Sequence, residues 1–218
     1  MRKHLIFDLD GTLLDTLPDI TSAINDALRE AGFPYVYDRQ GTKALIGDGA
    51  DALVHRALQK QDSPESFLRL KAAYMPKYQA YQNRHTKPFP GLLPVLDALI
   101  DNGFHLYVAS NKPDALAQEI VRVNFQKRFT YVSGQKEGEP AKPDPRIVNR
   151  ILADYSLSPS DCLYIGDSHV DVETAENASM PCCLVCWGYG KYEKDLLAKA
   201  TYAIAKPEEL LSLLLPSR

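Results

Sequence analysis

The sequence predicts an α/β fold: a Rossmann-like parallel sheet with helices on both faces, carrying a helical insertion directly after its first strand. Three observations predict it. From residue 88 onward, strand-like apolar runs alternate with amphipathic helical stripes, as in a parallel sheet joined by helical crossovers. Between residues 16 and 87 the periodicity is helical throughout. The 218 residues exceed the ~150 of one average domain without reaching two.

The first strand is KHLIFDLD, with Leu5, Ile6, Phe7 and Leu9 around an intrusive Asp8. Ile20, Ala23, Ile24, Ala27, Leu28 and Ala31 then make one apolar stripe, with Pro18 in its first turn and Gly32 placed to end it. A second stripe runs Ala50, Leu53, Val54, Ala57, Leu58. A third opens on Ser63-Pro64-Glu65 and carries Phe67, Leu70, Tyr74, Tyr78 and Tyr81. After the Pro-rich stretch Lys87–Pro94, Leu92, Val95, Leu96, Leu99 and Ile100 form a helix closed by Gly103, and HLYVAS reads as a strand. Further helices are expected at about 113–124, 144–155, 170–179 and 207–215, and strands at about 129–132, 162–166, 182–187 and 201–205. The α/β core therefore comprises residues 1–15 and 88–218, and the insertion residues 16–87.

Composition excludes several classes of function. With 45% hydrophobic and 24% charged residues the chain is not disordered. Twenty-five basic against 28 acidic residues give a net charge of −3, so there is no global electrostatic footprint for nucleic acid or an anionic membrane. Lys71, Lys77 and Arg84 interleave with Tyr74, Tyr78 and Tyr81, but at helical spacing these tyrosines read as a packing stripe. No apolar run reaches the ~18 residues of a membrane span, and the N-terminus has no secretory signal, so a cytoplasmic protein is expected. The four cysteines then read as reduced thiols. Cys183 and Cys186 form a CxxC pair, yet strand alternation would send them to opposite faces, and no partner pair completes a zinc site.

In an open parallel sheet, ligands bind beyond the carboxyl ends of the strands. Here those ends read Asp8-Leu9-Asp10-Gly11-Thr12, Ser110-Asn111-Lys112 and Gly166-Asp167-Ser168, with Asp171 four residues on. Asp8 and Asp10 share a face if the strand continues through them. Crowding them with Asp167 is costly without a cation, and hard oxygen ligands suit Mg2+. Thr12 offers a hydroxyl and an N–H to an anion. Taken singly, each cluster has a plainer reading: a strand-turn-helix cap, a cap before Pro113, a solvated Lys142, a turn feeding a helix. Their joint placement at three strand ends favours one shared site.

The motifs D-L-D-G-T-L-L-D, S-N-K, a Lys-Pro ahead of a helix and G-D-S-x-x-D resemble, in order and spacing, those of the haloacid dehalogenase superfamily of phosphohydrolases. F-P-G-x-x-x-x-L around Phe89–Leu96, Ile46–Leu58 and W-G-Y at Trp187–Tyr189 resemble its phosphoglycolate phosphatase branch. The resemblance implies that residues 16–87 form a mobile helical cap. It implies Asp8 as the nucleophile that forms an aspartyl-phosphate and Asp10 as the general acid and base. By the same resemblance Mg2+ is held by the Asp8 carboxylate, the Asp10 carbonyl and Asp167, and Ser110 and the Asn111 N–H bind a phosphate oxygen. Lys142, expected near solvent, would pair with Asp8 and the phosphoryl group, while Asp171 orients waters or Lys142. Asn177 and Ser179 depart from the branch, where Ala and Gly are expected.

Asp10 favours phosphate esters over halides, because an alkoxide leaving group needs a proton and a halide does not. A β-phosphoglucomutase-like phosphosugar mutase and a pyrophosphatase share the catalytic residues and stand as alternatives. A catalytically idle binding module would be expected to have lost Asp8, Asp10, Lys142 or Asp167. Lys43 and the Ile46-Gly47-Asp48-Gly49 turn resemble the cap's specificity segment, in which Asp48 fits a doubly anionic substrate only if it points away or binds a backbone N–H. The implied partner is a small phosphorylated metabolite, 2-phosphoglycolate first, and the sequence leaves monomer and homodimer open.

Overall fold

The computed structural model describes residues 2–215. The chain divides into two compact units, one running to Asp15 and resuming at Pro88, the other Thr16–Lys87. In chain order the strands are β1 (His4–Phe7), β2 (Leu14–Asp15), β3 (Lys87–Pro88), β4 (His105–Pro113), β5 (Tyr131–Gln135), β6 (Cys162–Gly166), β7 (Cys182–Val185) and β8 (Tyr202–Ile204). The helices are α1 (Leu17–Glu30), α2 (Arg39–Lys43), α3 (Gly49–Leu58), α4 (Pro64–Tyr81), α5 (Leu92–Asp101), α6 (Asp114–Phe125), α7 (Arg146–Asp154), α8 (His169–Asn177), α9 (Lys194–Lys199) and α10 (Glu209–Leu214). No helix among the described residues is long and apolar enough to cross a membrane.

The first unit is built on a six-stranded parallel sheet in the order β5-β4-β1-β6-β7-β8. The chain steps outward from β1 through β4 to β5, then lays β6 on the other side of β1 and steps outward again. The strand order therefore reverses at β1, which places a crevice at the carboxyl ends of β4, β1 and β6. Register is tight there: His4 pairs with His105 and Cys162, and Phe7 with Val108 and Ile165.

Strand alternation sorts the core into two layers. Leu5, Phe7, Val108, Leu163, Ile165 and Cys183 face one side, where α5, α6 and α10 cover them. Ile6, Tyr107, Ala109, Tyr164, Cys182 and Leu184 face the other, beneath α7 and α8. Both faces are buried, so these strands read as continuous apolar runs rather than alternating ones.

Two boundaries near the crevice differ from the sequence expectation. β1 stops at Phe7, three residues early. The Asp8 N–H still donates to the Ile165 carbonyl at 2.8 Å, but the Leu9 carbonyl then takes the N–H groups of Leu13 and Leu14 in a tight turn, with Gly11 at φ +92°. β4 runs longer than HLYVAS because it bulges: Ala109 pairs with Ser133 and Pro113 with Gln135, so Ser110, Asn111 and Lys112 stand out of register. A bulge of this kind re-aims side chains at a strand end. The short helices α2 and α9 carry no stripe long enough to be predicted. Cys186 lies past the end of β7, so strand alternation does not govern it; all four cysteines are free thiols.

The second unit buries most of the three predicted stripes, leaving Ala31, Ala50, Phe67 and Tyr81 half-buried. Ile20, Ala23, Ile24, Ala27 and Leu28 of α1 are buried, as are Leu53, Val54, Ala57 and Leu58 of α3 and Leu70, Tyr74 and Tyr78 of α4. Tyr74 and Tyr78 stack at 5.2 Å, which makes this stripe a packing surface. Ser63 caps α4, its hydroxyl accepting from the Ser66 N–H, and Pro64 opens the helix. Asp48 is ion-paired with Arg56, which also donates to the Leu45 carbonyl at 3.1 Å. The charge at odds with an anionic substrate therefore has its own counterion. Asp19, 1% exposed, accepts hydrogen bonds from His85 and Thr86 and so holds the end of the unit to the start of α1.

Candidate active site

The ends of β4, β1 and β6 bring together the carboxylates and cations that the sequence distributes over 160 residues. Lys142 is the hub. Its Nζ lies 2.8 Å from Asp8 Oδ1 and 2.9 Å from Asp171 Oδ1, with the Tyr164 hydroxyl at 2.9 Å and the Ala109 carbonyl at 3.2 Å. It is 3% exposed, so the expectation of a lysine near solvent fails. The cause is local: Asn111 clips the Lys142 backbone, its Oδ1 accepting from the Lys142 N–H at 2.6 Å and its Nδ2 donating to the carbonyl at 3.1 Å. That clip fixes the lysine stem at the bulged end of β4, and the ammonium then points inward.

Asp171 sits in the first turn of α8 and forms a capping box with Ser168. Its Oδ2 accepts from the Asp167 N–H, the Ser168 N–H and the Ser168 hydroxyl, while Oδ1 faces Lys142 and Tyr164. Both oxygens are thus engaged, and the residue orients Lys142. Asp167 is held differently. Its Oδ1 accepts from the Thr12 hydroxyl at 3.0 Å, and its Oδ2 from the N–H groups of Tyr189 at 2.6 Å and Gly190 at 3.3 Å. Thr12 does not present its groups to an anion, as the sequence suggested. Its hydroxyl is spent on Asp167 and its N–H points to the Leu9 carbonyl at 3.4 Å, because the turn after Leu9 folds it inward to 1% exposure.

Asp10 stands apart from this cluster. Its carboxylate faces Lys112, whose Nζ lies 3.2 and 3.4 Å from the two oxygens and whose side chain is fully enclosed. Each of the two aspartates flanking Leu9 has its own buried lysine. Asp8 and Asp10 nevertheless keep 13% and 15% of their side chains exposed. Ser110 accepts from the Lys112 N–H at 3.2 Å and sits with Asn111 on the same bulge.

The carboxylates of Asp8, Asp167 and Asp171 each offer an oxygen within 4.8 Å of the others. Burial pushes Asp8 up to about 7 against the pull of Lys142, with Asp171 and Asp10 adding repulsion. Burial and the neighbouring Asp171 and Asp8 push Asp167 up to about 8. Burial works against the Lys142 ammonium, but Asp171 and Asp8 raise it well above the ordinary lysine range. Three carboxylates and one ammonium leave excess negative charge in a dry site, and the all-oxygen donor set fits a hard divalent cation. Asp171 meets five donors over its two oxygens, whereas Asp167 Oδ1 takes only the Thr12 hydroxyl among the described residues, so Asp8 and Asp167 are the side chains that could hold it.

Sequence reasoning missed Lys112 and Tyr164. The lysine carried a signal, since it closes the S-N-K cluster at a strand end. Tyr164 carried none, because a tyrosine inside an apolar strand reads as core.

Comparison with known proteins agrees with this geometry. The chain matches the haloacid dehalogenase-like hydrolase family over residues 5–185. It is 31% identical over 213 residues to the phosphoglycolate phosphatase of Aquifex aeolicus, covering 97% of this chain and 96% of that one. To the Rhodobacter capsulatus phosphoglycolate phosphatase it is 35% identical over 206 residues, covering 92% and 91%. A solved structure from Lactobacillus delbrueckii subsp. bulgaricus, 31% identical, superposes with a TM-score of 0.88 over 99% of both chains. The chain belongs to the haloacid dehalogenase-like hydrolase family, in its phosphoglycolate phosphatase-like branch, and is a phosphoric monoester hydrolase.

Proposed function

We propose that the protein is a Mg2+-dependent phosphatase acting on a small phosphomonoester, 2-phosphoglycolate first, through an aspartyl-phosphate on Asp8. The observation that carries this reading is the division of labour between two accessible aspartates, each backed by its own buried lysine. A carboxylate beside a fixed ammonium can approach a phosphoryl group without prohibitive repulsion. A second carboxylate two residues on can serve the leaving oxygen.

In the proposed reaction an Asp8 oxygen attacks phosphorus as the ester P–O bond breaks, and Asp10 gives its proton to the departing alkoxide. Asp10, now ionised, takes a proton from water as that water attacks the aspartyl-phosphate. Inorganic phosphate leaves and Asp8 is regenerated. The Ser110 hydroxyl and the Asn111 N–H hold phosphoryl oxygens, and Lys142 keeps Asp8 oriented and offsets charge. A divalent cation held by Asp8, the Asp10 carbonyl and Asp167 supplies electrostatic stabilisation of the phosphoryl oxygens when bound.

The helical unit, residues 16–87, is proposed as the cap that selects the substrate, with Lys43 and the Ile46–Gly49 turn as its specificity segment. Two relatives named phosphoglycolate phosphatase support the choice of substrate. The test is phosphate release from 2-phosphoglycolate, β-glucose 1-phosphate and pyrophosphate, with Mg2+ and with excess EDTA. A kcat/KM preference for 2-phosphoglycolate of over ~10-fold corresponds to ~1.4 kcal/mol of differential transition-state binding. Equal turnover of the three, or full activity in EDTA, defeats the reading.

A further inference from the structure

We propose that the turn Trp187–Gly190 is a clamp that positions Asp167, and that Tyr189 is its latch. The inference rests on the reading of Asp167 as a metal ligand, and it concerns residues to which that reading gives no role.

Four contacts tie the turn to its surroundings. The backbone N–H groups of Tyr189 and Gly190 converge on Asp167 Oδ2. The Tyr189 hydroxyl reaches in the opposite direction and donates to Asp15 Oδ1 at 2.8 Å. The Trp187 indole N–H donates to the Thr12 carbonyl at 3.0 Å, and the Thr12 hydroxyl returns to Asp167 Oδ1. These hydrogen bonds, with the chain from Thr12 to Asp15 and from Trp187 to Tyr189, close a ring on Asp167.

The two glycines make this approach possible. A Cβ at Gly188 would collide with the Gly11 carbonyl and the Asp167 carboxylate, and one at Gly190 with the Asp167 carbonyl. The backbone therefore lies directly against the aspartate, where a side chain would push it off. Two N–H donors on one oxygen and a hydroxyl on the other fix both the position and the rotation of the carboxylate. Such outer partners set the affinity of a carboxylate ligand for its metal. Tyr189 holds Asp167 by its backbone and Asp15 by its side chain, so removing the hydroxyl alone should loosen the turn without deleting a donor to Asp167. It is a positioning residue.

The test uses the full chain and its one tryptophan, Trp187, which reports on the turn itself. Acrylamide quenching of Trp187 is measured on metal-free protein, and Mn2+ affinity by counting free Mn2+ in its paramagnetic resonance spectrum. Tyr189→Phe and Asp15→Ala should both raise quenching and weaken Mn2+ binding, roughly tenfold. Asp15→Asn, whose amide oxygen can still accept the hydroxyl, should stay close to the parent. The double variant Tyr189→Phe/Asp15→Ala should lose less than the sum of the two single ones, because the Tyr189–Asp15 bond is lost in each case. Unchanged quenching in Tyr189→Phe overturns the latch, and raised quenching with unchanged Mn2+ affinity overturns the positioning role. Asp167→Asn separates the two ideas: if it binds Mn2+ as the parent does, the metal reading falls, while the latch is still decided by quenching.

Discussion

The Lys112 ammonium lies 3.2 Å from Asp10 Oδ1, and its side chain has no exposed surface. Removing one member of a buried ion pair costs about 3–5 kcal/mol, much of it the penalty on the charge left behind, and less where that charge has other partners. Asp10→Ala should therefore destabilise the protein by an amount of that order, as well as stopping turnover. Lys112→Met keeps the stem volume and strands Asp10 instead. Because Asp10 is partly exposed and can reach water, the loss of stability should be smaller and the loss of kcat the dominant effect. Urea unfolding beside steady-state kinetics on both variants checks the asymmetry, and equal stability losses would contradict it.

Lys142 behaves differently, since it faces two carboxylates at 2.8 and 2.9 Å, Asp8 partly exposed and Asp171 fully buried. Lys142→Met leaves Asp8 and Asp171 facing one another without a cation between them. Stability and activity should both fall, the first by about 3–5 kcal/mol. Unfolding midpoints decide the matter, and a variant of parental stability would mean that the ammonium adds nothing net to the fold. An intermediate result is informative if divalent cations restore stability to Lys142→Met more than to the parent.

Much of this was legible in the sequence because strand ends are legible. The apolar runs ending in Asp8, Ser110 and Asp167 locate one crevice as soon as a parallel sheet is inferred, and the polar residues there have few other reasons to cluster. Pairing was not legible. Nothing in S-N-K says that Lys112 faces Asp10 while Lys142, thirty residues on, faces Asp8. That assignment is made by the bulge in β4 and by the Asn111 clip on the Lys142 backbone, both of which depend on register with β5. Thr12 was misread for a related reason. A threonine after Asp-Gly offers the same groups whether its turn opens toward a ligand or folds back onto Asp167. The short helices α2 and α9 escaped notice because five or six residues carry too little periodicity.

Asp19 gives the helical unit a pH dependence. Burial works to raise its carboxyl, but hydrogen bonds from the N–H groups of His85 and Thr86, the Thr86 hydroxyl and the His85 ring outweigh it and hold the group below the usual carboxylate range. A depressed pKa means that the unfolded chain binds the proton first as pH falls. The stabilisation is therefore complete above about pH 4 and is lost as pH drops through the folded value. Asp19→Asn should cost about 1.5–3 kcal/mol at neutral pH, the scale of hydrogen bonds to a charged group. Its penalty should shrink as pH falls below about 4 and the parent loses the same charge. Urea unfolding followed by circular dichroism across that range tests the sign, and a penalty that grows toward low pH would reverse it.

Ser179 explains its own departure from the branch pattern. It follows α8 with φ +56°, the left-handed conformation that favours glycine, and the helix closes around it. The Ser179 N–H donates to the Glu176 carbonyl at 3.0 Å and the Met180 N–H to the Ala175 carbonyl at 2.9 Å, the paired bonds of a Schellman C-cap. A residue with a Cβ is strained there, although glycine loses more entropy on folding. The strain is the larger effect, so Ser179→Gly should stabilise the protein by about 0.5–1 kcal/mol. The side chain is exposed, so kcat/KM should not change. A higher urea midpoint at constant slope and unchanged phosphate release is the expected pair of results. A loss of activity would mean that the end of α8 bears on Asp171 in its first turn, six residues before Asn177 along the same helix.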